Sequence, residues 1–320
     1  MIDVLNLALP YFGLIFLGYA AAKWRSIPDA GLAWMDFFVL YLALPALFYR
    51  ILARTPFEQL NNIPFIVATT LATFAAFVVS FVIALIIRRG QVAESGMAGL
   101  AGSYGNIGYM GPGLALSTLG NEAAAPVALI FCFDTLLLFT LVPLFMSFAG
   151  TERRGLAASI VEILRRILLH PLIIATALGV VSAAAAFEPP VALERLLVFL
   201  QSAAAPCALF ALGLTVALRP IQKVPWEVPF AIIVKLIVHP LFVIVLLSLL
   251  GSFSPSWTAA AVLMAALPPA LSVFVFARQY DTWVEQASGA VLLGTLVSVV
   301  TLTTVMWLVK NDLVPQSLFR

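Results

Sequence analysis

Polar side chains are sparse along this chain, and those standing inside apolar sequence are the ones able to do chemistry. Asn106 lies in Gly105-Asn106-Ile107-Gly108-Tyr109-Met110-Gly111-Pro112-Gly113, and Ser272 closes Leu267-Pro268-Pro269-Ala270-Leu271-Ser272. Proline removes a backbone donor and clashes with the carbonyl one turn back, and glycine is a weak helix former, so each motif predicts an interrupted helix. Freed N–H and C=O groups find no water in hydrocarbon and are tolerated only where they face protein or a wet cavity. An amide side chain at such a break, beside the N–H end of a half-helix, suits non-covalent capture of a small anion. Gly105, Asn106, Pro112, Pro268 and Pro269 therefore frame a candidate substrate site, with the hydroxyls of Tyr104, Tyr109 and Ser272 as further contacts. The competing reading has Asn106 satisfying only the break itself and the hydroxyls engaged in packing.

Asp134 and Lys235 are opposite charges deep in apolar sequence. An unpaired ion there costs several kcal/mol, so pairing of the two, or neutralisation of Asp134, is expected. They serve either charge coupling or a fixed structural pair that compensates half-helix dipoles. His239, one turn after Lys235 and just before Pro240, is a third coupling candidate, with packing as its alternative. Nothing supports catalysis: the chain lacks a phosphate-binding glycine loop with Lys-Ser/Thr, a His pair at metal spacing and a nucleophile elbow. No cofactor and no metal are expected.

The elements that must position these residues are membrane helices. With 63% hydrophobic and 10% charged residues among 320, and a mean hydropathy of +1.09, the chain cannot cover a soluble globule with polar surface. The net charge of +2 and scattered basic residues exclude a nucleic-acid partner. Cys132 and Cys207 both lie in apolar segments, as inert small hydrophobes rather than a disulfide or metal pair. Met1-Ile2-Asp3-Val4 lacks a basic n-region, so the first apolar span reads as a retained helix.

Roughly ten spans emerge with a window of about 20 residues: 4–22, 31–53, 63–88, 95–119, 123–149, 170–187, 191–218, 228–250, 256–279 and 283–309. The 150–169 linker, with Arg153, Arg154, Arg165 and Arg166 interleaved with apolar residues, reads as a cytoplasmic amphipathic helix or as a plain connection. Loops after odd-numbered spans carry Lys23, Arg25, Arg88, Arg89, Arg153, Arg154, Arg165, Arg166, Arg219, Lys223 and Arg278, against Arg50, Arg54, Arg195, Lys310 and Arg320 on the opposite side. The first group is therefore assigned to the cytoplasm, and both termini to the outside. The linker leaves two halves, 1–149 and 170–320, with five spans each, so homologous halves would be inverted in the membrane. Pro10 and Gly18 match Pro171 and Gly179 at one constant shift, and Pro45 matches Pro206 at the same shift. Pro45 and Pro206 are expected to kink their helices.

Leu7-Ala8-Leu9-Pro10 through Leu17-Gly18-Tyr19, Tyr41-Leu42-Ala43-Leu44-Pro45-Ala46-Leu47, Gly105-Asn106-Ile107-Gly108 and Phe274-Val275-Phe276-Ala277-Arg278-Gln279-Tyr280 together resemble the auxin efflux carrier family over essentially the whole chain. That family includes plant auxin transporters and bacterial permeases for malonate and related carboxylates. Leu267 through Tyr280 is the most specific stretch, with Arg278 and Gln279 departing from the Lys-Glu of plant carriers. The long central loop of many plant members is missing, so the chain resembles the compact prokaryotic form. The resemblance implies an all-α membrane fold of ten helices in two inverted repeats with helices 4 and 9 broken, shared with bile-acid/sodium symporters and related to sodium/proton antiporters. Helices 1, 2, 6 and 7 would form a scaffold, and 3–5 and 8–10 a transport domain. In the related antiporters, the equivalents of the Asp134 and Lys235 helices also carry an acid and a lysine, which implies a proton- or charge-coupling role for this pair.

The leading expectation is a secondary transporter for a small organic anion, a carboxylate such as malonate or an auxin-like acid, working by elevator-type alternating access in the inner (plasma) membrane. A monovalent cation/proton antiporter and a non-transporting ligand sensor on the same fold are the alternatives. The expected partners are the anion and the lipid bilayer, and a homodimer, if formed, would use the scaffold helices.

Overall fold

The computed structural model describes residues 2–25, 28–149, 165, 168–218 and 225–318. Among these, secondary structure is helical apart from one isolated β-bridge. Residues 150–164 and 166–167 of the linker, and the basic residues Arg153, Arg154, Arg166, Arg219, Lys223 and Arg320, lie outside the described residues. In chain order the α-helices are α1 (Ile2–Trp24), α2 (Asp29–Phe38), α3 (Leu44–Ala53), α4 (Phe57–Leu60), α5 (Ile63–Ile87), α6 (Val92–Ser103), α7 (Gly111–Leu119) and α8 (Ala124–Phe148). They continue with α9 (Pro171–Ala184), α10 (Val191–Ala217), α11 (Glu227–Ile233), α12 (His239–Leu250), α13 (Pro255–Ala265), α14 (Leu271–Gln279) and α15 (Val284–Lys310). Six helical runs among the described residues are long and apolar enough to cross a membrane: Ala30–Ala53, Phe57–Ile87, Gly111–Met146, Val191–Ala217, Glu227–Leu250 and Val284–Lys310.

Two of these runs pass through π-helical turns, Val39–Ala43 and Val234–Val238. Each turn ends just before a proline, Pro45 or Pro240. A proline inside a regular helix costs about 3 kcal/mol, because its ring meets the carbonyl one turn back. A widened turn relieves that clash. The kink expected at Pro45 thus takes the form of a π turn, whereas Pro206 lies inside a helix that runs unbroken from Val191 to Ala217. Lys235 sits on the second π turn.

Contacts divide the chain into two compact units, the first holding residues 1–62, 108–132 and 168–220 and the second 63–107, 133–167 and 221–320. In the first unit α1 packs on α10, and α9 on α3. Helices in lipid gain no hydrophobic drive from meeting one another, so close backbone approach through small residues holds them. Gly18 permits this for α1, since a Cβ there would come 2.2 Å from the Phe210 carbonyl oxygen. Gly179 does the same for α9, where a Cβ would come 2.9 Å from the Tyr49 carbonyl oxygen. Arg50 and Arg54 of this unit converge on Glu194, with Arg50 Nε at 2.9 Å from Glu194 Oε1.

In the second unit α5 packs on α6 and on α12. Ser80 donates to the Ala98 carbonyl at 2.7 Å, tying α5 to α6. Arg88, just past the end of α5, ion-pairs with Glu94 at 3.0 Å and donates from Nε to Glu227 at 2.6 Å. Glu227 also accepts from the Trp283 indole at 3.4 Å, which links α11 to the start of α15. These bonds hold the frame in which the two helix breaks meet.

Candidate functional site

Helix α6 stops at Ser103 and helical structure resumes at Gly111, while α13 stops at Ala265 and α14 begins at Leu271. Both interruptions fall at the glycine- and proline-rich motifs. Within the second unit the two breaks are stitched as a short antiparallel pair. Gly105 forms a β-bridge with Pro269; the Asn106 N–H donates to the Pro268 carbonyl at 2.8 Å, and the Ala270 N–H donates to the Tyr104 carbonyl at 3.0 Å. The prolines have no N–H to leave unsatisfied, and their neighbours supply the donors. Backbone groups that two broken helices would otherwise strand in hydrocarbon satisfy one another.

Small residues let other helices reach this crossing. A Cβ on Gly105 would lie 3.1 Å from Lys235 Cε and 3.2 Å from Lys235 Nζ, so the lysine amine rests against the break. A Cβ on Gly294 would lie 2.4 Å from the ring of Pro269, so α15 also meets the break at a glycine. Lys235 is fully buried and donates to the carbonyl of Ala265, at the C-terminal end of α13. A cation suits that end of a helix, where the carbonyl dipoles converge.

Asn106 is 2% exposed, and its backbone N–H is committed to Pro268. Its side-chain Nδ2 has no hydrogen-bond partner among the described residues. A buried donor left without an acceptor costs roughly 1–3 kcal/mol, an expense that a purely structural asparagine has no reason to carry.

From Lys235 a continuous line of hydrogen bonds leads away from the break. Lys235 Nζ is 3.2 Å from His239 Nδ1, His239 Nε2 is 3.1 Å from Thr73 Oγ1, and Thr73 Oγ1 donates to Asp134 Oδ2 at 2.9 Å. All four side chains are at least 96% buried. This corrects the expected direct pairing: no ion pair joins Lys235 to Asp134, because His239 and Thr73 occupy the space between them. Asp134 Oδ1 has no hydrogen-bond partner among the described residues.

Tyr104, Gly105, Asn106, Pro268, Pro269 and Lys235 come together at the crossing, and His239 and Asp134 follow along the hydrogen-bonded line. The Tyr104 hydroxyl is turned to Thr135, 3.3 Å away. Ser272 is half-buried in the first turn of α14. Tyr109 and Pro112 belong to the first unit, half-buried and buried respectively. Sequence reasoning missed Thr73. Its only sequence signal is a hydroxyl in an otherwise apolar helix, and Thr69, four residues earlier, shows how ambiguous that is: it donates back to Phe65 at 3.0 Å.

A chain whose described residues are helical, with six runs among them fit to cross a membrane and two broken apolar segments bonded to each other, is a multi-pass membrane protein. The chain belongs to the membrane transport protein family, whose model matches residues 3–306, in agreement with the auxin efflux carrier resemblance of its motifs. A protein of Rhizobium meliloti (strain 1021) bearing the name "Putative malonate transporter" is 47% identical over 319 residues, which cover 100% of both chains. An "Uncharacterized transporter" of Methanothermobacter thermautotrophicus is 25% identical over 293 residues, 90% of this chain and 93% of its own. The family and these relatives are transporters rather than enzymes, and this chain is a membrane transporter.

Proposed function

We propose that this protein is a secondary transporter for a small carboxylate of the malonate type, recognised at the crossing of the two helix breaks. The observation that carries the reading is the buried Asn106 amide nitrogen, which lacks an acceptor among the described residues, beside a break lined by the Lys235 amine. A donor and a cation held together in a low-dielectric setting favour an anion, and a carboxylate oxygen is the acceptor such a donor lacks. The malonate named for the Rhizobium relative supports the dicarboxylate choice.

The architecture in this reading is ten spans in two inverted five-helix repeats, 1–149 and 170–320. Support comes from Gly18 and Gly179, which the repeat makes equivalent: one packs span 1 on span 7, and the other packs span 6 on span 2. The inversion exchanges those two pairs. Elevator-type alternating access fits a chain whose two units are separately compact, the crossing of 104–107 with 268–270 belonging wholly to one of them. The positive-inside distribution supports an inner-membrane orientation with both termini outside and the 150–169 linker in the cytoplasm. Lipid and, through helices of the first unit, a second copy of the chain complete the partners.

The test is uptake of radiolabelled malonate by purified protein in liposomes, with and without sodium or pH gradients, against acetate and a neutral diamide of malonate. Malonate uptake that Asn106→Ala removes supports the reading. Equal handling of the diamide, or none of malonate, refutes it.

A further inference from the structure

We infer that Lys235, His239, Thr73 and Asp134 form a proton relay, with Thr73 as its central link, that moves one proton between the helix-break end of the second unit and Asp134. The relay deepens the transport reading and rests on it for its purpose, while its wiring rests on the three hydrogen bonds of 3.2, 3.1 and 2.9 Å.

Donor counting gives the wire its direction. An ionised Asp134 only accepts, so the single hydroxyl proton of Thr73 points to Asp134 Oδ2. The Thr73 oxygen is then an acceptor and requires a proton on His239 Nε2. A neutral imidazole protonated at Nε2 has a lone pair at Nδ1, which takes a proton from the Lys235 ammonium. The chain reverses as a whole. A Lys235 Nζ–H bond breaks as His239 Nδ1–H forms, Nε2–H breaks as a Thr73 O–H forms, and the original Thr73 O–H breaks as Asp134 Oδ2–H forms. One ammonium and one carboxylate become an amine and a carboxylic acid, the imidazole changes tautomer, and every bond in the line is kept with its direction reversed. No heavy atom has to move, and no other reactant is needed.

Among the described residues, few other ionisable groups face this line. Helices α5 and α13 carry no other charged or titratable side chain, and α12 carries only His239. Helix α6 contributes Glu94, which is engaged with Arg88, and Tyr104 just past its end turns its hydroxyl to Thr135 and lies within electrostatic reach of Asp134. On α8 the titratable neighbour of Asp134 is Cys132, which belongs to the first unit. On α15, Glu285 and Lys310 occupy the terminal turns.

With the proton at the lysine, a cation lies against Gly105 and favours an anion at the break. With the proton at Asp134 that charge is withdrawn. Occupancy by a carboxylate and proton position are thereby tied together without a direct Lys235–Asp134 contact.

The test needs no substrate. Time-resolved infrared spectroscopy after a pH jump, on purified protein in lipid, follows the carboxylic-acid C=O band of Asp134, identified by its loss in Asp134→Asn. Thr73→Val removes the linking hydroxyl at nearly constant shape, and His239→Gln keeps a hydrogen-bonding side chain that cannot pass a proton. Each should slow the band's change about a hundredfold, the scale expected when a positioned acid–base group is lost, while Thr73→Ser should stay near the wild-type rate. An unchanged rate in Thr73→Val or in His239→Gln overturns the relay, as does a rate in Thr73→Ser as slow as in Thr73→Val. Malonate uptake is measured separately, so a protein that fails to carry malonate sinks the transport reading without altering these rates.

Discussion

Asn106 donates its backbone N–H to the carbonyl of Pro268 at 2.8 Å, so the break is satisfied by main chain and the asparagine side chain remains available for another task. Alanine at this position keeps the backbone bond. We expect Asn106→Ala to melt at nearly the wild-type temperature in detergent. Malonate binding by calorimetry should weaken about tenfold to a hundredfold, the loss of one hydrogen bond to a charged acceptor. Asn106→Asp should bind more weakly still, because a carboxylate repels the anion. Unchanged affinity in a stable Asn106→Ala protein would assign the side chain another role.

Gly294 approaches the ring of Pro269 so closely that an added methyl carbon would sit 2.4 Å from Pro269 Cδ. Glycine to alanine in a helix interior normally gains up to about 1 kcal/mol. Overpacking against a rigid ring and a bonded break costs about 1–3 kcal/mol, so the net effect of Gly294→Ala should be destabilising. Thermal unfolding in detergent checks the sign, and a raised melting temperature would mean that the crossing yields freely.

Lys235 and Asp134 are joined through His239 and Thr73 rather than directly. Removing either charge leaves the other buried, at about 3–5 kcal/mol if it stays ionised. Lys235→Met and Asp134→Asn should each destabilise, and the double variant should be more stable than the sum of the two losses implies. Simple additivity would show that the connection carries no energy.

The orientation rests on basic residues of which Arg153, Arg154, Arg166, Arg219, Lys223 and Arg320 lie outside the described residues. In a background of Cys132→Ala and Cys207→Ala, single cysteines at positions 153 and 320 should react oppositely with a membrane-impermeant maleimide in intact cells. Labelling at 320 and protection at 153 is the expected pattern. The reverse would overturn the orientation, and like behaviour of the two positions would overturn the odd number of spans in the second half.

Both breaks were legible because Pro268-Pro269 and the cluster around Pro112 violate helix chemistry locally, and no tertiary information is needed to read them. Asn106, Asp134 and Lys235 were legible as polar groups in apolar runs. Their connection was not, since Thr73, Asp134 and His239 come from three helices far apart in sequence and are joined only by packing. The π turns before Pro45 and Pro240 were likewise hidden: proline announces a local disturbance, but not whether a helix kinks or widens. Direct pairing of Asp134 with Lys235 followed from an energetic argument that needed compensation without specifying contact, and a histidine one turn from the lysine supplied the intermediate.

Carboxylate binding and carriage at the crossing of 104–107 with 268–270 is the proposal on which the rest depends. Its most direct measurement is radiolabelled malonate flux into liposomes holding the wild-type protein or Asn106→Ala, at matched incorporation and with folding verified by thermal stability. Saturable flux inhibited by other small dicarboxylates is expected for the wild type, and for the variant a flux about tenfold or more lower at malonate concentrations below wild-type saturation. Equal saturable flux in both would contradict it.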